Sequence, residues 1–130
     1  METTLAKIRE LSEKYADLTA ENLKALIRTR SLSAKESEAA SVLKQQMVDA
    51  GFDEVRSDGL GNVIGRIGNG SKILAFDGHI DTVDTGHLPN WTFDPFGGEI
   101  AGGYVHGRGT VDQKGGPAAF VTAGKILKEM

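Results

Sequence analysis

Apolar residues in the first part of the chain recur at three- and four-residue spacing: Leu5, Ile8 and Leu11, then Leu23, Leu26 and Ile27, then Ala40, Leu43, Met47 and Val48. That period puts each set on one face of a helix, so three amphipathic helices are expected. The third is the best bounded. Ser33 followed by Glu36 has the form of a capping box, and Gly51 can take the left-handed conformation that closes a helix end. From Glu54 the pattern shortens, and the runs EVRS, GLG, NVIGRI, GNG and KILAFD read as a hairpin followed by a third strand. Ile73 to Phe76 is apolar without alternation, as in a strand covered on both faces, and such strands belong to helix-covered sheets. GGEIAGGYVHGRG has the form of a glycine-rich hairpin. PAAFVTAGKILKEM reads as a helix with Phe120, Ala123, Ile126 and Leu127 on one side. The expected fold is α/β, a mixed sheet covered by helices.

Composition sharpens this division. All 17 glycines and all 3 prolines lie at or after Gly51, so a helical leader over 1–50 precedes strands, loops and a final helix over 51–130. A chain of 130 residues has the size of one domain or part of one. Its last helix reaches Met130 without a cap or closing glycine, which leads to the expectation of a chain cut from a longer one. Fifteen basic and 18 acidic residues give a net charge of −3 with no long single-sign run, which disfavours nucleic acid and anionic membranes as partners. Neither a signal peptide nor an 18-residue apolar run is present, so a soluble, cytoplasmic protein is expected. Cysteine is absent, so any metal must be held by His, Asp and Glu.

Two places carry candidate chemistry. In DGHIDTV, His79 and Asp81 follow the expected strand at the position where open α/β sheets gather ligands. Residues two apart on extended backbone face the same way, so Asp81 can accept a hydrogen bond from the ring nitrogen of His79 that a metal does not use. The competing reading is a surface loop in which His79 bonds backbone and Asp81 caps a turn. In GRGTVDQKGGPAAF, Asp112 precedes a helix start, where a carboxylate is favoured as an anion and can bridge two cations. It can equally be a plain helix cap. The GxGxxG and GxxxxGK[ST] phosphate loops are missing. Asp77, Asp84, His87 and His106 suit structural or solvated roles, and Arg108 suits either an anion contact or a carboxylate partner that holds its loop.

DGHIDTV, then W-x-x-x-P-F at Trp91 to Phe96, then GRGTVDQKGG, preceded by GLGNVIGRIG and a helical leader, together resemble one family. It is the dinuclear zinc metallopeptidase family that contains acetylornithine deacetylase, succinyl-diaminopimelate desuccinylase, aminoacylase and glutamate carboxypeptidase. The wording of DGHIDTV and DQKGG is nearest to its YgeY-like hydrolases. The resemblance implies a partial catalytic domain over 1–130, the N-terminal portion of a zinc-exopeptidase-like fold with the lid domain absent. It implies that His79 is a ligand to one zinc ion, that Asp81 orients it, and that Asp112 bridges both metals. A cis peptide is implied at Asp112-Gln113. His106 and Gln113 depart from the Tyr and Met common at those places, and neither departure removes a ligand.

The same resemblance implies two divalent cations, with zinc foremost and cobalt or manganese also compatible. It implies a small peptide or N-acyl amino acid as substrate and a homodimer of the full-length protein. In the family a glutamate of a Glu-Glu pair acts as general base, and further ligands follow the GRG motif. Here the only carboxylate side chain after Asp112 is Glu129, and no Glu-Glu pair occurs there. The expectation is therefore an amide-bond hydrolase fragment carrying about half of its site and inactive alone. The alternative is a non-catalytic binding or assembly partner.

Overall fold

A computed structural model describes residues 2–130 and, for side chains, 3–130. Helices α1 (Glu2–Lys14), α2 (Ala16–Arg28) and α3 (Ser37–Asp49) form the leader. Strands β1 (Glu54–Ser57) and β2 (Val63–Arg66) then make an antiparallel hairpin with Glu54 opposite Arg66 and Ser57 opposite Val63. Strands β3 (Glu99–Ala101) and β4 (Tyr104–His106) make a second hairpin around Gly102 and Gly103, and α4 (Gly115–Glu129) closes the order. The α/β class thus holds, with the strands in two separate two-stranded sheets. Among the described residues no helix is long and apolar enough to cross a membrane.

The core lies where α2, α3 and α4 meet. Leu26, Leu43, Ala50, Ala118 and Val121 are buried together, and Leu23, Val42, Met47, Phe52, Val63 and Ile80 pack against them. Three polar ties fix the helices. Gln46 Nε2 donates to the Asn22 carbonyl at 2.9 Å, the hydroxyls of Thr19 and Thr122 lie 2.8 Å apart, and Lys14 at the end of α1 and Tyr15 at the start of α2 both bond Glu129 of α4. Helix α3 ends as its sequence suggests. Gly51 has a φ of +84°, its N–H bonds the Val48 carbonyl at 3.0 Å, and that of Phe52 bonds Met47 at 3.2 Å. These two bonds form a Schellman closure.

The start of α3 does not follow the expected capping box. Glu36 accepts from the Ala34 N–H at 2.6 Å, and the Ser33 hydroxyl is directed to Asp81 instead. In α1 only Leu11 of the periodic set is buried; Leu5 and Ile8 are exposed, as is Val48 of α3. The larger difference lies at Ile73, Leu74 and Phe76, which are 86%, 80% and 68% exposed and lie outside any strand. A covered strand needs ladder partners for its N–H and C=O groups, and no described segment pairs with this one. Phe76 instead stacks obliquely on Phe120 of α4 at 5.5 Å between ring centres.

Helix α4 is apolar on more than one side, so periodicity chose its face wrongly. It buries Ala118, Val121 and Ile126, whereas Ala123 and Leu127 point outward. Ile126 is 8% and Leu127 62% exposed. Ile126→Ala should therefore cost about 2–4 kcal/mol and Leu127→Ala under ~1 kcal/mol in urea unfolding of the chain.

Asp53 ties α4 to the first hairpin by accepting from Lys128 Nζ at 2.5 Å and from the Gly68 N–H at 2.7 Å. The Lys128 bond, followed by the Gly68 bond, holds its carboxyl below the ordinary 3.8. A lowered folded pKa stabilises the fold above the unfolded value, and that contribution is lost as pH falls through the folded one. The urea midpoint of the unsubstituted chain should fall more steeply below about pH 4 than that of Asp53→Asn.

Candidate metal centre

The two motif regions, 33 residues apart at His79 and Asp112, come together at an open cavity of about 300 Å³. The short stretch after α2 determines where each one lies. Its residues 31 and 32 run parallel to 80–82. The Thr82 N–H bonds the Ser31 carbonyl at 2.8 Å, Ser31 Oγ donates to the Ile80 carbonyl at 2.7 Å, and Leu32 bridges Thr82. On the other side Lys114, fully buried, donates from Nζ to the carbonyls of Leu26 at 2.8 Å and Thr29 at 2.7 Å. Those carbonyls lie at the negative end of α2, where a cation is favoured. Burial pushes the Lys114 pKa down to about 8, so it remains mostly protonated at neutral pH.

Two glycines permit the close approach. A Cβ at Gly109, whose φ is +88°, would lie 2.6 Å from the Thr82 methyl and 3.3 Å from Lys114 Cδ. A Cβ at Gly78 would lie 2.7 Å from Gln113 Oε1 and 3.2 Å from Phe120. A side chain at Gly109 would push the two loops apart, and one at Gly78 would displace the end of Gln113 and crowd the Phe120 ring. The peptide Asp112-Gln113 is cis, as the sequence resemblance implied.

His79 sits between two carboxylates. Its Nδ1 lies 3.1 Å from Asp81 Oδ1 and 3.2 Å from the Asp81 carbonyl, and its Nε2 lies 3.0 Å from Asp112 Oδ1. Ser33 Oγ donates to Asp81 Oδ2 at 2.5 Å, so both oxygens of that carboxylate are engaged. This hydroxyl is the largest cause holding the Asp81 carboxyl below its ordinary range, ahead of the opposing effect of burial and the attraction of His79. The His79 pKa is raised. Burial lowers it most, but the hydrogen bonds to the Asp81 backbone and to Asp112 and the charges of both aspartates together outweigh that.

Both ring nitrogens face acceptors, which is favourable only when positive charge is present. A second proton supplies it, or a cation shared by Nε2 and Asp112. Their separation of 3.0 Å is that of a direct hydrogen bond, and a tetrahedral cation at about 2.0–2.2 Å from each would hold them roughly 0.3–0.6 Å further apart. The donor chemistry fits zinc, and the outward side of Asp112, 87% exposed, leaves its second oxygen open to another ion. Among the described residues, no three His, Asp or Glu side chains gather to hold a metal by themselves.

Residues 75–130 match the profile of Peptidase family M20/M25/M40. Over 124 residues, 95% of this chain, it is 43% identical to "Uncharacterized protein YgeY" of Escherichia coli K12. The chain belongs to the M20 family. Two succinyl-diaminopimelate desuccinylases are also similar, that of Methylorubrum populi at 40% identity over 106 residues and that of Cereibacter sphaeroides at 43% over 102. These matches cover 76% and 75% of the chain. The chain spans 30% of the length of the YgeY protein and 27% of each desuccinylase. Members of the M20 family are in general metal-dependent hydrolases.

The other polar candidates of this M20 chain stand outside that pair. His106 stacks on Phe93 at 3.8 Å and bonds the Ala101 carbonyl at 3.2 Å, a structural role. Asp84 accepts from the Thr85 N–H at 2.7 Å, His87 precedes the single turn Leu88–Asn90, and Asp77 is exposed. The Arg108 guanidinium lies 4.9 Å from the centre of the Trp91 ring, beside the cavity. Sequence reasoning missed Ser31, Ser33 and Lys114. Ser33 carried a misleading signal in its helix-cap pattern, and the lysine had none beyond its place two residues after Asp112. Lys114→Met should destabilise the chain by about 1–3 kcal/mol, since the Thr29 carbonyl loses its partner while that of Leu26 keeps the Thr29 N–H, read from guanidinium unfolding.

Proposed function

We propose that this chain is part of the catalytic domain of an amide-bond hydrolase acting on small peptides or N-acyl amino acids, and that it contributes about half of a dinuclear zinc site. His79 and Asp112 would hold the cations, with Asp112 shared between the two, and Asp81 holds the His79 ring by its Nδ1 side. The observation that carries this reading is the meeting of His79 and Asp112 at 3.0 Å, from loops that only ordered family motifs connect in sequence. The similar succinyl-diaminopimelate desuccinylases remove a succinyl group, which favours an N-acyl amino acid as the substrate class.

When bound in such sites, divalent cations polarise a carbonyl and make water a stronger nucleophile at neutral pH. The residues of this chain act around that chemistry. Asp81 keeps a proton on Nδ1 and leaves the Nε2 lone pair free, which raises its strength as a donor. Asp112 contributes negative charge on the side of the cavity that the ring faces. Two donors fall short of the three or four protein ligands of zinc sites, and neither is free to act as general base. The remaining ligands and the base must come from residues beyond these.

The second reading, a non-catalytic assembly partner, rests on the exposed apolar run at Ile73, Leu74 and Phe76. Titration with Co2+ followed by visible absorption separates the two. Weak binding is expected, reduced at least about tenfold by His79→Ala or Asp112→Asn, with no hydrolysis of N-succinyl or N-acetyl amino acids by the 130 residues alone. Binding indifferent to both substitutions would favour the assembly partner. Hydrolysis abolished by His79→Ala would show that the base is already present.

A further inference from the structure

Asp81 can orient His79 only if its own carboxylate is held. Its Oδ1 faces the ring at 3.1 Å, and its backbone carbonyl lies 3.2 Å from the same nitrogen. A carboxylate turns readily about its Cβ–Cγ bond, and with Oδ2 in water it would exchange partners with solvent. Here Oδ2 accepts from Ser33 Oγ at 2.5 Å.

Ser33 comes from the helical leader, 48 residues before Asp81, and its place is fixed independently. Ser31 and Leu32 pair with Ile80 and Thr82, with Leu32 opposite Thr82 in parallel, so Ser33 lies one step past that pairing and its hydroxyl reaches back diagonally to Asp81. Ser33 makes no helix-capping bond that would account for its hydroxyl, because the α3 cap residue is Glu36 and makes no side-chain cap bond either.

We propose that Ser33 is a positioning residue for the metal site, its hydroxyl locking the Asp81 carboxylate and through it the Nδ1–H tautomer of His79. This deepens the metal-site reading above and rests on it for its functional consequence. The contact chain runs from Ser33 Oγ–H to Asp81 Oδ2, from His79 Nδ1–H to Asp81 Oδ1, and from Nε2 towards Asp112. A hydroxyl in the helical leader, which carries no candidate ligand, thus bears on where the Nε2 lone pair points. Threonine retains the hydroxyl and alanine removes it with little change of bulk, so the pair separates hydrogen bonding from packing.

The test uses Ser33→Ala and Ser33→Thr in the whole chain, with two readouts. The first is the 15N spectrum of the His79 ring without metal, at alkaline pH where the ring is neutral. The second is Co2+ affinity from visible absorption. Ser33→Ala should move the ring from mainly Nδ1–H to a mixture of tautomers and lower Co2+ affinity about 3- to 10-fold, and Ser33→Thr should restore both. Circular dichroism should be the same for all three proteins. An unchanged tautomer ratio in Ser33→Ala would overturn the proposal, as would a threonine variant as impaired as the alanine one with native dichroism. If Co2+ fails to bind even the unsubstituted chain, the metal reading falls, while the metal-free tautomer still decides the role of Ser33.

Discussion

Lys114 is a buried cation whose partners are two backbone carbonyls at the end of α2, and the placement of the site depends on that contact. Removing an ammonium group from water costs several kcal/mol unless its donors are satisfied. The carboxyl end of a helix suits that need, because its carbonyls lack intrahelical partners and the helix dipole places negative charge there. The loop bearing Asp112 is thereby tied to the end of α2. Two residues beyond Thr29, Ser31 begins the pairing that holds Ile80 and Thr82, and with them His79 and Asp81. One short stretch of backbone therefore fixes both halves of the site, which explains how residues so distant in sequence meet within hydrogen-bonding distance.

That arrangement concentrates negative charge around a single ring. Two carboxylates flank His79, one on each nitrogen, and the ring is partly open to water. Without positive charge between them, the pair would repel and the Nε2 lone pair would face an anion. The geometry calls for positive charge, from a second ring proton or from the cation of the proposed site, and the Asp112 side stays open to solvent. The same openness appears in the backbone before it, where Ile73 to Phe76 is apolar, exposed and outside either described sheet.

Much of this was legible in the sequence where one physical signal acted alone. The Leu23, Leu26 and Ile27 face, the Gly51 closure and both hairpins follow from period and turn chemistry. Where two signals competed, the reading failed. Helix α4 is apolar on opposite sides, so periodicity alone could not tell the face with Ala118 and Val121 from the one with Ala123 and Leu127. Ile73 to Phe76 has the composition of a buried strand, but burial requires partners that composition cannot supply. The proximity of His79 to Asp112 was foreseen only through the order of the motifs, because no local rule relates residues so far apart.

Ser33 illustrates why the supporting residues were hidden. Ser-x-x-Glu is the sequence form of a capping box, and a serine hydroxyl ahead of a helix has that local use available to it. The competing partner, a carboxylate 48 residues away, comes within reach only after Ser31 has paired with Thr82. A charged acceptor forms the stronger bond, roughly 1.5–3 kcal/mol against about 1 kcal/mol for a neutral one, so the long-range contact prevails over the cap. The leader is thus more than a cover for the core. It supplies the hydroxyl at one end of the contact chain and the helix carbonyls that anchor the loop at the other.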